Sequence, residues 1–123
     1  MHTRPLSSQL NDTIEPDLLA FLRARLNTLL KWELARYFYE NPQTADIADN
    51  LARYLGRDLQ NTEEELRQLA RAGVLRAEPA QDVLVYSLTE DADTLALLGQ
   101  FVAASRDREF KMRAIYLVLQ AKR

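Results

Sequence analysis

The sequence predicts a mainly α-helical fold that carries one small β-hairpin. Between residues 16 and 72, hydrophobic residues recur at the three- and four-residue spacing of amphipathic helices, and this period returns after residue 90. Between these two regions, hydrophobic residues alternate over 83–88, as in a strand that is covered on one side. Glycines at positions 56 and 73 stand where two of the helical runs end. A chain of 123 residues with this pattern suits one folded domain.

The N-terminal part predicts two helices, over about 16–26 and 28–40, which could also be fused into one. They follow residues 1–15, which contain one proline, two serines and other polar residues and are expected to form a flexible lead. Asn27 or Thr28 can cap the second helix. An Asn-Pro pair then ends it, because the residue before a proline disfavours helix.

The central part predicts two shorter helices and the hairpin. Thr44 can cap the first of these helices, and Asp58 can cap the second, which is expected over 59–72. The two glycines can end them. The hairpin is expected to have strands at about 74–78 and 83–88.

The C-terminal part predicts one long helix from residue 91 to the end. About 28 helical residues at ~1.5 Å each would form a rod of roughly 40 Å, which a small domain cannot cover alone. We therefore expect a homodimer whose interface is formed by the apolar residues of this helix, Leu98, Val102, Met112, Ile115, Tyr116 and Leu119. The alternatives are that the helix packs on its own domain, or that its basic side contacts an acidic partner or a membrane surface.

The stretch LARYLGRD…LRQLARAGVL, within residues 51–75, resembles a pattern found in winged helix-turn-helix regulators such as the MarR and ArsR families. The predicted order of helix, helix, turn, helix and hairpin is also that of a winged helix, and the resemblance covers residues 28–90. It implies a winged-helix domain with an N-terminal helical extension over 16–90, followed by a dimerisation helix over 91–123.

In such regulators the third helix enters the major groove of duplex DNA. Carried over by position, the residues that would face DNA are Gln60, Asn61, Glu63, Glu64, Arg67 and Arg71, with Arg76 from the hairpin. Gln60 and Asn61 could contact adenine, and Arg67 could contact guanine or a phosphate. The tip of the wing would be residues 79–82.

The distribution of charge opposes DNA binding. Residues 40–93 contain five basic and twelve acidic residues, a net charge of −7, whereas residues 94–123 contain six basic and two acidic residues, a net charge of +4. Proteins gain much of their DNA affinity by neutralising phosphates with lysine and arginine. The run Glu63-Glu64-Glu65 is interpreted as a solvated helix start, with a protein-binding acidic face and a base-contacting role as alternatives.

The sequence gives little support for a metal site, a catalytic triad or a cofactor-binding site. Cysteine is absent and the single histidine, His2, lies in the lead, so neither a zinc site nor a Ser-His-Asp triad is expected, and no cofactor is expected. Glu90, Asp91 and Asp93 are interpreted as helix-start capping. Trp32 and the aromatic residues at 37–39 are interpreted as core and interface residues in preference to a ligand cage.

No run of residues has the length and apolar character of a membrane span or a signal peptide, so a cytoplasmic protein is expected. Together these observations predict a non-enzymatic, transcription-regulator-like winged-helix homodimer that has weak or no affinity for duplex DNA by itself. The alternative is a winged-helix module that binds a protein partner or organises an assembly and does not bind DNA.

Overall fold

The structure is a computed structural model that describes residues 14–119. It is mainly helical, with a small antiparallel sheet. The helices are α1 (Pro16–Arg25), α2 (Leu29–Glu40), α3 (Ala48–Leu55), α4 (Leu59–Arg71), α5 (Ala92–Ala104) and α6 (Arg108–Ala114), and α6 continues into a π-helical turn at Ile115–Leu119. The strands are β1 (Ala45–Asp46), β2 (Leu75–Ala80) and β3 (Val83–Leu88), in the spatial order β1-β3-β2.

The first two helices are separate, as the capping residues predict. Thr28 is the N-cap of α2, and its hydroxyl accepts a hydrogen bond from the backbone N–H of Lys31 at 3.1 Å. Pro16 stands in the first turn of α1, where the side chain of Glu15 caps the helix. The prediction of a flexible lead is wrong for Ile14, which is buried in the core. The rest of that lead, including His2, lies outside the described residues apart from Glu15.

The expected cap at Thr44 is wrong, because a short strand precedes α3. In β1, Ala45 is opposite Ser87 and Asp46 is opposite Tyr86. The helix begins after Ile47, which offers no side-chain cap. The carboxylate of Asp46 instead accepts a hydrogen bond from the backbone N–H of Ile47 at 2.8 Å. A strand of two residues has no periodicity from which the sequence could predict it.

The turn between α3 and α4 and the end of α4 follow the predicted chemistry. Gly56 takes the left-handed conformation at φ 64°, and the carboxylate of Asp58 accepts a hydrogen bond from the backbone N–H of Asn61 at 2.8 Å. Gly73 has φ 82°, which turns the chain out of α4. The hairpin follows, and its first strand begins and ends later than predicted, so that a two-residue turn at 81–82 joins β2 to β3.

The prediction of one long C-terminal helix is wrong. Helix α5 ends at Ala104, and α6 begins after Asp107, whose carboxylate caps it by accepting a hydrogen bond from the backbone N–H of Glu109 at 3.0 Å. The serine and aspartate at 105 and 107 bond to nearby backbone in preference to extending the helix. The break turns the chain so that the π-helical turn packs on α1.

Helix α2 lies at the centre of the core. Leu34 and Phe38 on this helix are fully buried, and Trp32 packs its ring edge against Phe101 of α5 with 5.5 Å between the centroids. The indole N–H of Trp32 donates to the carbonyl oxygen of Leu26 at 2.6 Å. The packing order through the molecule is the π-helical turn on α1, α1 on α5, α5 on α2 and α2 on α4.

Candidate functional site

The outward side of α4 carries the side chains that the sequence placed there. Glu63 is half-buried, whereas Gln60, Asn61, Glu64, Arg67 and Arg71 are exposed, as is Arg76 on β2. Five of these residues share one shallow recess with a volume of about 520 Å³, which is lined by Asp58, Gln60, Asn61, Glu63, Glu64 and Arg67. Arg71 and Arg76 lie outside this recess.

The recess is acidic. Its lining contains three carboxylates and one guanidinium, and that guanidinium already faces a carboxylate, because Nη2 of Arg67 lies 3.9 Å from Oε2 of Glu63. On the hairpin, Nη1 of Arg76 lies 3.7 Å from Oε2 of Glu90. Exposed pairs of this kind contribute little stability, but they reduce the positive potential that a phosphate would meet.

Glu65 does not belong to the outward surface, although it follows Glu63 and Glu64 directly. Its side chain is buried between α4 and α2, where its Oε1 accepts a hydrogen bond from the Thr28 hydroxyl at 2.5 Å and lies 3.2 Å from Nζ of Lys31. Lys31 is only 4% exposed. A buried glutamate therefore joins the two helices by an ion pair.

The sequence contains one signal for this ion pair, which is the position of Lys31 on α2. Lys31 stands three residues before Leu34 and seven before Phe38, so it lies on the buried side of α2. A charge in that position requires a partner. The sequence could not show which of the three consecutive glutamates supplies it, because that depends on how α4 crosses α2.

A second, smaller cavity of about 110 Å³ lies beside the recess, between the start of α3, α4 and the hairpin. The carboxyl groups of Asp49, Glu63 and Asp82 contribute to its lining. Tyr86 also lines it, is 1% exposed, and has a hydroxyl without a hydrogen-bond partner among the described residues. Burial raises the pKa of this hydroxyl, and the nearby Arg67 guanidinium opposes that rise. The cavity is small for an organic ligand, but it extends the negative surface.

The recess and the smaller cavity share Glu63 and Arg67, and we call the surface that they form the acidic face. It consists of Asp49, Asp58, Glu63, Glu64, Asp82 and the apolar Val83. Val83 is 43% exposed. A surface with carboxylates and an exposed apolar side chain can bind a partner that offers cations and apolar side chains in return.

The structure buries some of the residues that were predicted to form a dimer interface and exposes others. Leu98 and Val102 are buried in the chain's own core, so their assignment to an exposed interface is wrong. Ile115 and Leu119 are half-buried, whereas Met112 and Tyr116 are 63% and 70% exposed. The break between α5 and α6 explains the division, because it lets α5 pack inside the domain.

Met112 and Tyr116 belong to a surface that we call the basic segment. Its residues are Arg106, Arg108, Lys111, Met112, Arg113 and Tyr116. Asp107 and Glu109 lie within the same stretch, but Asp107 is used as the cap of α6. The basic segment thus has the opposite charge to the acidic face and also presents exposed apolar side chains.

Of the three acidic residues at the start of α5, Asp91 has the capping role that the sequence predicts, whereas Glu90 faces Arg76 and Asp93 stands in the first turn. The Asp91 carboxylate accepts hydrogen bonds from the backbone N–H of Thr94 at 2.9 Å and from its hydroxyl at 2.8 Å, and these bonds lower the pKa of Asp91. Among residues 14–119, no group of three His, Cys, Asp or Glu side chains is arranged to hold a metal ion. No helix in the described part of the chain combines the length and apolar character needed to cross a membrane.

No model of a known protein family matches this chain, and no curated protein matches it either. The resemblance of residues 28–90 to winged-helix regulators therefore stays a prediction. The acidic face and the basic segment are described from the residues of this chain, and no property of a relative is carried over to them.

Proposed function

We propose that this protein is a non-enzymatic winged-helix module that binds a basic protein surface through its acidic face and has no useful affinity for duplex DNA. The succession of α3, the turn at Gly56, α4 and the hairpin supports a winged helix. The observation that carries the function is the composition of the recess on α4, where three carboxylates accompany one arginine that is already paired.

The size of the repulsion between phosphates and carboxylates, compared with the gain from a base contact, favours a protein partner over DNA. A phosphate held ~4 Å from one carboxylate is repelled by about 1 kcal/mol in water, and by about 4 kcal/mol at the effective dielectric of a protein surface. A good bidentate contact to a base contributes only about 1–3 kcal/mol of discrimination. Glu63 and Glu64 lie on the same surface as Gln60 and Asn61, so the repulsion offsets what those amides could contribute.

The second candidate function is a transcription-regulator-like homodimer that binds duplex DNA weakly. It is favoured by the exposure of Gln60, Asn61, Arg67 and Arg71 along one helix. A cytoplasmic location belongs to both proposals, since a chain without cysteine needs no oxidising compartment.

Two binding measurements at low ionic strength separate the candidates. Fluorescence anisotropy would measure binding of a labelled peptide of alternating arginine and glycine, with a glutamate-glycine peptide as the reference. A mobility shift would measure binding of mixed-sequence duplex DNA. We expect the arginine peptide to bind, the glutamate peptide not to bind, and no DNA complex to form.

Charge-reversed variants locate the binding surface. Glu63→Lys with Glu64→Lys should abolish binding of the arginine peptide. Glu40→Lys with Glu78→Lys makes the same change in net charge outside the recess and should leave most of the binding intact. A DNA complex that Arg67→Ala and Arg71→Ala weaken, and that dissociates steeply as salt rises, would establish the second candidate instead.

A further inference from the structure

We propose that the acidic face binds the basic segment of a second copy of this chain, so that the protein associates with itself head to tail. This inference rests on the proposed function, because it names the partner of the same acidic face. It differs from the homodimer that the sequence predicts, in which the C-terminal helices of two copies pack against each other.

The first argument is charge complementarity. The basic segment exposes Arg106, Arg108 and Lys111 and partly exposes Arg113. Among the ion pairs described within residues 14–119, none involves these four side chains. The acidic face presents carboxylates around one paired arginine. Two surfaces of opposite charge attract each other and orient the encounter.

The second argument is that both surfaces also expose apolar side chains. Arg108, Met112 and Tyr116 follow one another at four-residue spacing, which brings the cation and the two apolar groups to one side of the segment. Met112 and Tyr116 are the most exposed large hydrophobic side chains of the described residues. On the acidic face, Val83 offers apolar area for them to cover. Charged rims around apolar contacts are typical of protein interfaces.

The third argument is the placement of the two surfaces within one molecule. The π-helical turn that follows α6 packs on α1, and α1, α5, α2 and α4 then succeed one another. No residue of the basic segment lines the recess or the smaller cavity of the acidic face. Lys111 instead lines a separate pocket with residues of α2 and α5. The two surfaces are therefore distinct within one chain. Two copies can bring them together without any change of fold.

The same placement disfavours an interface between two basic segments. Such an interface would set Arg108 and Lys111 of one copy against the same cations of the other, which repel each other. It would also lack Leu98 and Val102, which are inside the core. A head-to-tail contact has no such repulsion, and because it joins two different surfaces it leaves one of each unoccupied. Further copies can therefore add until a ring closes or the chain of copies ends.

A mixing experiment with three proteins tests this arrangement. The acid-reversed variant carries Glu63→Lys and Glu64→Lys, and the base-reversed variant carries Arg108→Glu and Lys111→Glu. Sedimentation velocity and light scattering would give the mass of each protein over a range of concentrations at low salt. Circular dichroism would establish that each variant is folded.

We expect the wild-type mass to rise with concentration and to fall as salt screens the charges. Each variant alone should associate at least about tenfold more weakly, which corresponds to ~1.4 kcal/mol. An equimolar mixture of the two variants should recover association that neither variant shows alone. The basic segment of the acid-reversed protein matches the acidic face of the base-reversed protein, and the two reversed surfaces also match each other, so the two variants should alternate in the assemblies that form.

A variant that carries all four reversals makes a second test, because its two surfaces are complementary again and it should recover self-association. The variant with Glu40→Lys and Glu78→Lys should associate like the wild type. The inference is overturned if the wild type stays monomeric, if the two folded variants do not associate when mixed, or if the base-reversed variant dimerises by itself. A monomeric wild type that still binds the arginine peptide would overturn this inference and leave the proposed function standing. If the wild type is monomeric and also fails to bind the arginine peptide, both this inference and the proposed function are overturned.

Discussion

Replacing Lys31 by methionine should destabilise the protein strongly, because it leaves Glu65 as a buried charge without its cation. The three donors of the Lys31 ammonium are matched by three acceptors, the Asn27 and Gln68 side-chain oxygens at 3.0 and 2.5 Å and the Glu65 carboxylate at 3.2 Å. Methionine fills a similar volume, so the change tests the charge and its hydrogen bonds and leaves packing nearly unaltered.

Removing one partner of a buried pair typically costs about 3–5 kcal/mol. A domain of this size has a free energy of unfolding of roughly 5–15 kcal/mol, so a large share of the stability is involved. With a urea m-value of about 1–3 kcal/mol/M, the midpoint of unfolding should fall by about 2 M. Urea titration followed by circular dichroism would measure this shift.

A double-mutant cycle isolates the pair itself. We expect Lys31→Met combined with Glu65→Leu to be clearly more stable than the sum of the two single changes predicts, with a coupling energy of about 2 kcal/mol or more. The exposed pair between Arg36 and Glu40 is the matched control, because Glu40→Gln should move the midpoint little. If Lys31→Met shifts the midpoint no further than this control does, the argument from burial is wrong.

Three further changes have expected outcomes. Gly56→Ala should destabilise by about 1–2 kcal/mol in urea titration, because φ is +64° there while no neighbouring atom lies in the way of a Cβ; an unchanged midpoint would contradict this. Tyr86→Phe should leave the stability unchanged or raise it, because it removes a buried hydroxyl without a partner, and a large loss would show that the hydroxyl is bonded. The lowered pKa of Asp91 stabilises the fold at pH values above its unfolded value of about 3.8, and this contribution is lost as pH falls through the folded pKa. Acid titration should therefore show a smaller loss of stability in Thr94→Val than in the wild type.

Much of the fold could be predicted because its signals are local. The hydroxyl of Thr28, the carboxylate of Asp58 and the conformation of Gly56 act within a few residues of chain, and each takes the predicted role. The alternation over 83–88 likewise predicts β3. The elements that were missed had distant or overridden signals. The strand β1 exists only because β3 lies beside it. The break at 105–107 has a local signal in the Asp107 cap, but the helical spacing of apolar residues on both sides of it predicted one continuous helix.

The same distinction holds for the candidate site, where local signals could be predicted and burial could not. Periodicity along α4 was enough to place Gln60, Glu63 and Glu64 on its outward side, and the count of charges was enough to show that this region is acidic. Helical spacing could not distinguish Leu98, which is buried, from Met112, which is exposed, because both lie on apolar stripes.

The sequence by itself determined where α1, α2, α4 and α5 begin, where the hairpin lies and where negative charge accumulates, since each of these depends on neighbouring residues or on simple sums. Only the tertiary structure decided which apolar and charged side chains are covered. It turned Glu65 inward to Lys31, placed Leu98 and Val102 in the core, and put the acidic face and the basic segment on different surfaces. Burial depends on how helices cross in space, and that is a property of the whole chain.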